Sequence, residues 1–256
     1  MMRNRVIPIL LHSVDGLIKT TRFKDPIYIG DPLNAVRIFN NKFVDELVLL
    51  DIDRSRNGLE PNFSLASRIA SECFMPLGFG GGIRNVSDAK VLLSCGVEKL
   101  ILQTSALNSG ELIYQIASFS GSQSVSVSLD IFKDRAGQYF VYHAATRKLL
   151  NFSLQELVKQ LESQGAGELI ITSVNNEGSM RGYDLDLIKL VRDVTNVPLV
   201  AHGGAGKTDD FKKALVAGAD AVAAGSLFVF YSPRKGVLIN YPRYEELHEL
   251  VGIGNE

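Results

Sequence analysis

The chain has 256 residues, is 46% hydrophobic and 21% charged, and carries a formal net charge of -1. That composition is one of a soluble globular protein with ample core, and its balanced charge offers no broad basic face to a nucleic acid. Its two cysteines, Cys73 and Cys95, give neither a disulfide framework nor a ligand spacing, and they read as buried packing residues of a reducing compartment.

The opening stretch MMRNRVIPILLHSVDG contains an apolar run too short for a signal or a membrane span. The expectation is a cytoplasmic protein with no membrane association. In chain order, short apolar and β-branched runs predict strands at 5–10, 46–52, 76–81, 99–103, 124–131, 168–173, 198–203 and 221–226. Amphipathic stretches between them, such as 62–73, 86–95, 154–165 and 184–195, predict helices. After the fifth strand, DRAGQYFVYHAA (134–145) reads as a β-hairpin inserted in a loop. Strands alternating with helices at this length predict a closed parallel (β/α)8 TIM barrel. No linker or composition shift divides it, so residues 1–256 are read as a single domain.

The sequence repeats itself. PLGFGGGIRN at 76–85 is matched by PLVAHGGAGK at 198–207, an offset of 122. Glu46 and Glu168, Gly96 and Gly218, and Thr104 and Ser226 share that offset. One constant spacing across four strands implies two duplicated half-barrels. In a parallel barrel the C-terminal strand ends share one face, where active sites sit. Gly81 and Gly82 follow the third strand and Thr104 the fourth. Gly203 and Gly204 follow the seventh strand, and Gly225 and Ser226 the eighth. Bare backbone beside a hydroxyl at a helix start suits a dianion. Two such cradles on opposite sides of one mouth predict an elongated ligand with a phosphate at each end. No His or Cys spacing predicts a metal, and no cofactor is called for.

RVIPIL, DELVLLDI, PLGFGGGIR, SVSLDIFK, GAGELIITS, VPLVAHGGAG and GADAVAAGS, in this order, resemble the cyclase-subunit family of imidazole glycerol phosphate synthase over about residues 3 to 230. The resemblance implies the (β/α)8 fold and a reaction with ammonia from a partner glutaminase. In that reaction a bisphosphorylated ribulosyl intermediate is cleaved and cyclised. The family's catalytic aspartate at the end of strand five matches Asp130. Its partner at the end of strand one is absent: Leu11 stands there, and leucine transfers no proton. Asp15, four residues on, is a candidate substitute or a turn residue. Lys19 matches the family's mobile-loop lysine. The family's ammonia gate at the N-terminal barrel mouth matches Arg5, Glu46, Lys99 and Glu168, which implies a glutaminase docked at that face.

Other positions depart from the family pattern: Gln103 for Asn, Glu177 for Asp, His202 for a small hydroxyl residue, Arg54 and Arg56 in the second loop, and Arg234 and Lys235 in the last. Two readings stay open. One is a cyclase of the family. The other is a relative lacking one acid, which docks a glutaminase and passes ammonia to a separate sugar amidotransferase. The sister isomerase of the same pathway fits less well, because the gate residues are present.

Overall fold

A computed structural model describes residues 4–14, 16–231, 236–243 and 245–247. Eight parallel strands close on themselves: β1 (Arg5–Ser13), β2 (Leu47–Asp51), β3 (Leu77–Gly80), β4 (Lys99–Leu102), β5 (Val125–Lys133), β6 (Glu168–Ser173), β7 (Leu199–His202) and β8 (Ala221–Ala224). Each pairs with the next and β8 pairs with β1, so that β4–β5 and β8–β1 are the seams joining the two halves. The chain is therefore a (β/α)8 barrel.

Side-chain alternation along each strand divides the buried residues into two cores. Outward-facing Val6, Leu10, Leu47, Leu49, Leu77 and Phe79 pack under the helices. Inward-facing Ile7, Ile9, Leu11, Val48, Ile101, Ile170 and Val200 fill the barrel. Surrounding helices include Phe63–Glu72, Val86–Ser94, Leu185–Arg192 and Asp209–Val216. Asn62, Asn85 and Asp184 cap three of them, each side chain accepting from a backbone N–H in the first turn.

The repeat is visible in the elements. β3 and β4 recur as β7 and β8 at the offset of 122, and the helices starting at Phe63 and Leu185 do likewise. β1 and β5 are also twins, each nine residues long and each followed by antiparallel strands. The predicted hairpin after β5 is present as Tyr139–His143, with a third strand at Lys148–Leu150. Its counterpart after β1, Gly16–Thr21 with Lys24–Gly30, was not expected. The two inserts meet: Phe23 and Tyr142 pack edge to face, ring centroids 5.6 Å apart. Cys73 and Cys95 are each half-buried rather than buried. Burial still pushes the Cys73 thiol up to about 11.

Candidate active site

Strand alternation turns Ser126, Ser128 and Asp130 of β5 into the barrel, with Asp130 nearest the C-terminal mouth. Register places Asp130 beside Thr172 of β6, whose hydroxyl favours its charged form. Gln103 donates its Nε2 to Asp130 Oδ2 from the end of β4. Thr172 Oγ1 lies 3.1 Å from His202 Nδ1, at the end of β7. Burial raises the Asp130 carboxyl to about 7. The hydrogen bonds from Gln103 and Thr172 oppose that rise, and the nearby charge of Glu177 adds to it. Burial, helped by the Lys19 cation, holds His202 down at about 3, so its ring is neutral at physiological pH. Asp130 is thus placed to exchange a proton near neutrality.

The position across the barrel is apolar. Leu11 pairs with Leu50 as Asp130 pairs with Thr172, and Leu50 and Thr172 are themselves 122 apart. Leu11 is therefore the structural twin of Asp130. Its side chain belongs to the interior cluster with Ile9 and Val48. Asp15 lies outside the described residues, as do Arg234 and Lys235.

Lys19 lies on a strand of the first insert and is buried, not on a solvated loop. It forms an ion pair with Glu177, from the loop after β6. The same carboxylate accepts from Thr20 Oγ1 and from the Phe23 backbone N–H, both at 3.1 Å. The hairpin turn at Arg22 and Phe23 runs at positive φ in both residues, a conformation costly for bulky side chains. Glu177 holds that turn with its backbone carbonyl as well as its side chain. One buried carboxylate thus pins the whole insert over the mouth.

Both glycine pairs end their strands at this mouth. Gly81, Gly82, Gly203 and Gly204 all have positive φ. A Cβ at Gly81 would collide with the Asp51 carbonyl, and one at Gly204 with the Gly182 carbonyl. The glycines therefore let neighbouring loops approach, besides leaving backbone bare. The two cradles differ. At the first, the Gly82 N–H is already given to Ser55 Oγ at 3.2 Å, and the space opens into the barrel. That pocket encloses about 1150 Å³ including its open mouth, with Asp130, Thr104, Arg56, Arg147 and Tyr142 among its walls. At the second, Gly203, Gly204, Gly225, Ser226, Lys19 and His202 line a separate space of about 220 Å³. Among the described residues the buried Ser226 Oγ has no hydrogen-bond partner there, which is costly unless a ligand supplies one. Thr104 and Ser226 begin short helices, Thr104–Asn108 and Ser226–Val229, rather than ending strands.

At the opposite mouth the four charged residues converge. Arg5 bridges Glu46 and Glu168, and Lys99 does the same. Lys99 Nζ lies 2.9 Å from both Glu46 oxygens and 3.1 Å from Glu168 Oε2. Ser126 donates to Glu168 Oε1 at 2.7 Å. Burial works to raise the Glu168 carboxyl, but Arg5 and Lys99 outweigh it and hold it below the usual range. The ring is charge-neutral, with two cations and two carboxylates alternating.

Thr172, Ser126, Tyr142 and Arg147 were not singled out from the sequence. Counting in twos from Glu168 reaches Ile170 and Thr172, and counting back from Asp130 reaches Ser128 and Ser126, so the strand period alone identifies two of them, Thr172 and Ser126. Tyr142 and Arg147 sit on the β5 insert, whose fold over the pocket no local pattern announces.

Residues 7–233 match the family described as histidine biosynthesis protein. A protein of Leptospira borgpetersenii, provisionally named imidazole glycerol phosphate synthase subunit HisF, is 46% identical over 94% of this chain and 96% of its own length. One of Pseudomonas aeruginosa, provisionally named as the same enzyme's subunit hisF2, is 45% identical over 96% of this chain and 99% of its own length. The imidazole glycerol phosphate synthase subunit HisF of Dictyoglomus thermophilum is 36% identical over 90% of this chain and 91% of its own length. The chain belongs to the histidine biosynthesis protein family, as a barrel of the HisF type.

Proposed function

We propose that this protein is the ammonia-using barrel of a glutamine-dependent cytoplasmic complex. Ammonia made by a docked glutaminase enters through the ring of Arg5, Glu46, Lys99 and Glu168. It reacts at the C-terminal mouth with a ligand carrying a phosphate in each cradle, the bisphosphorylated ribulosyl intermediate of the family's lyase and cyclase reaction. The observation that carries this reading is the alternating ring at the strand starts. Four buried or half-buried charges are expensive in an apolar barrel, and an apolar plug would close it as well. Charged groups that exchange partners admit a small polar molecule. The apolar interior above them keeps ammonia neutral and away from water.

A second reading is favoured by Leu11. With one proton-transfer group missing, the family's cyclisation is expected to run slowly, and ammonia then serves a separate sugar amidotransferase. The copy numbers in names such as hisF2 and hisF3 suit a relative kept beside a histidine-pathway subunit.

Lys99→Ala separates the conduit from a merely structural ring. In the assembled complex, the glutamine-driven reaction should fall while the reaction driven by added ammonium is spared. Equal rates in variant and parent from both nitrogen sources, or no association with a co-encoded glutaminase, would contradict the conduit.

A further inference from the structure

Asp130, Thr172 and His202 lie side by side on three neighbouring strands. Thr172 has one hydroxyl proton, and an ionised Asp130 carboxylate beside it can only accept it. With that proton turned to Asp130, the Thr172 oxygen is left to accept from His202 Nδ1, 3.1 Å away. In that arrangement the ring proton is on Nδ1, and Nε2 keeps a free lone pair. Among the described residues no group hydrogen-bonds to Nε2. His202 lines both the barrel pocket and the second cradle, so the free end of the ring serves the ligand space.

We propose that these three residues are a proton relay, with His202 as its outer terminal and Asp130 as its sink. A proton leaving a ligand atom, such as an attacking nitrogen, goes to His202 Nε2. The Nδ1 proton passes to Thr172 Oγ1, and the Thr172 hydroxyl proton passes to an Asp130 oxygen. The imidazole ends neutral, as the other tautomer. The threonine is unchanged, and the carboxylate becomes a carboxylic acid. One proton has moved, and no cation forms on the ring. The step extends the reach of Asp130 to the second cradle without supplying a second acid, so it does not replace what Leu11 lacks. It rests on the reading of Asp130 as the proton-transfer group.

The surroundings suit transfer over storage. Lys19, on the first insert, faces His202 and disfavours an imidazolium. Glu177, on the loop after β6, faces Asp130 and favours its protonated form. Gln103, on β4, donates to Asp130 and is uncharged. A histidine that resists holding the proton, next to an acid able to take it near neutrality, hands the proton on.

The relay has a signature that needs no substrate. When Asp130 gains a proton, its hydroxyl donates to Thr172, the Thr172 hydroxyl turns to His202 Nδ1, and the ring proton moves to Nε2. Histidine ¹⁵N spectra of the whole protein read this directly, with the His202 signals assigned by their loss in His202→Asn. The expected result is a neutral ring throughout pH 5 to 9, roughly the range over which an ordinary histidine ionises. The ring should carry its proton on Nδ1 at high pH and on Nε2 at low pH. The change should share its midpoint with the ¹³C titration of the Asp130 carboxyl. Asp130→Asn should remove the pH dependence, Thr172→Val should uncouple the ring, and Thr172→Ser should keep the exchange. Should Thr172→Val fail to fold, Asp130→Asn and Thr172→Ser still decide. An unchanged tautomer across the range, an imidazolium near pH 6, or an exchange that survives Asp130→Asn would overturn the relay. Slow cyclisation alone would not, so the two readings fail separately.

Discussion

The first half of the barrel and the second are built on one plan but furnished differently. Around the C-terminal mouth the first half turns Leu11, Leu50, Gly80 and Gln103 inward. Their twins in the second half are Asp130, Thr172, His202 and Gly225. At the N-terminal mouth the imbalance reverses. Arg5 and Lys99, both from the first half, supply the cations, while each half contributes one glutamate. Duplication fixed the backbone twice and left the side chains free to diverge. The acid–base equipment collected on one half and the cations of the opposite ring on the other.

That comparison is broken most forcefully at Asp130. Asp130→Asn should lower ammonium-driven turnover of the bisphosphorylated intermediate about 10²- to 10⁴-fold. Leu50→Met, at a first-half position on the same mouth, should change it less than about tenfold, being volume-conserving. Equal losses would mean that both halves carry the chemistry.

The next effect is on stability against pH. Asp130 binds its proton more tightly folded than unfolded, at about 7 against 3.8. Its contribution favours the folded state below about pH 4 and is lost as pH rises through 7. His202 binds its proton less tightly folded, at about 3 against 6.5. Its contribution is fully present above about 6.5 and is lost as pH falls toward 3. The two slopes oppose each other between pH 4 and 6.5 and largely cancel. Asp130→Asn should therefore raise stability at pH 8 by a few kcal/mol and expose a decline toward acid. His202→Asn should expose the reverse slope. Urea unfolding at pH 5 and 8 measures both.

The smallest effect sharpens the difference between the cradles. Ser226→Ala removes a buried hydroxyl that has no partner among the described residues, so unfolding stability should stay within about 1 kcal/mol of the parent or rise. Affinity for inorganic phosphate, measured by calorimetry, should fall. Thr104→Ala, at the twin position in a more open cradle, should weaken phosphate binding less. The opposite order would undo the assignment of Ser226 to the enclosed site.

Much of this was legible in the sequence because strand period and repeat are strong signals. The barrel, the insert after β5 and the glycine pairs follow from apolar runs and constant spacing, and the four ring charges from the family resemblance together with their strand-start positions. The insert after β1 was not legible. Its turn, Arg22–Phe23, has none of the glycine or asparagine that marks two-residue hairpins. It is held instead by Glu177, more than 150 residues away in sequence. The same long-range tie took Lys19 from an expected mobile loop to a buried ion pair. Leu11 could be named as a missing acid by resemblance, but its pairing with Leu50 is what identifies it as the twin of Asp130.

That twin relation is the central claim, and one substitution tests it. Leu11→Asp should place a carboxylate opposite Asp130 on the same interior layer. Ammonium-driven turnover of the bisphosphorylated ribulosyl intermediate is the measurement, made on parent and variant side by side. The account predicts a slow parent and a gain in Leu11→Asp of about 10²- to 10⁴-fold, the contribution of one proton-transfer group. A parent already turning over at about 1 to 10³ per second, or a folded Leu11→Asp no faster than the parent, would contradict it.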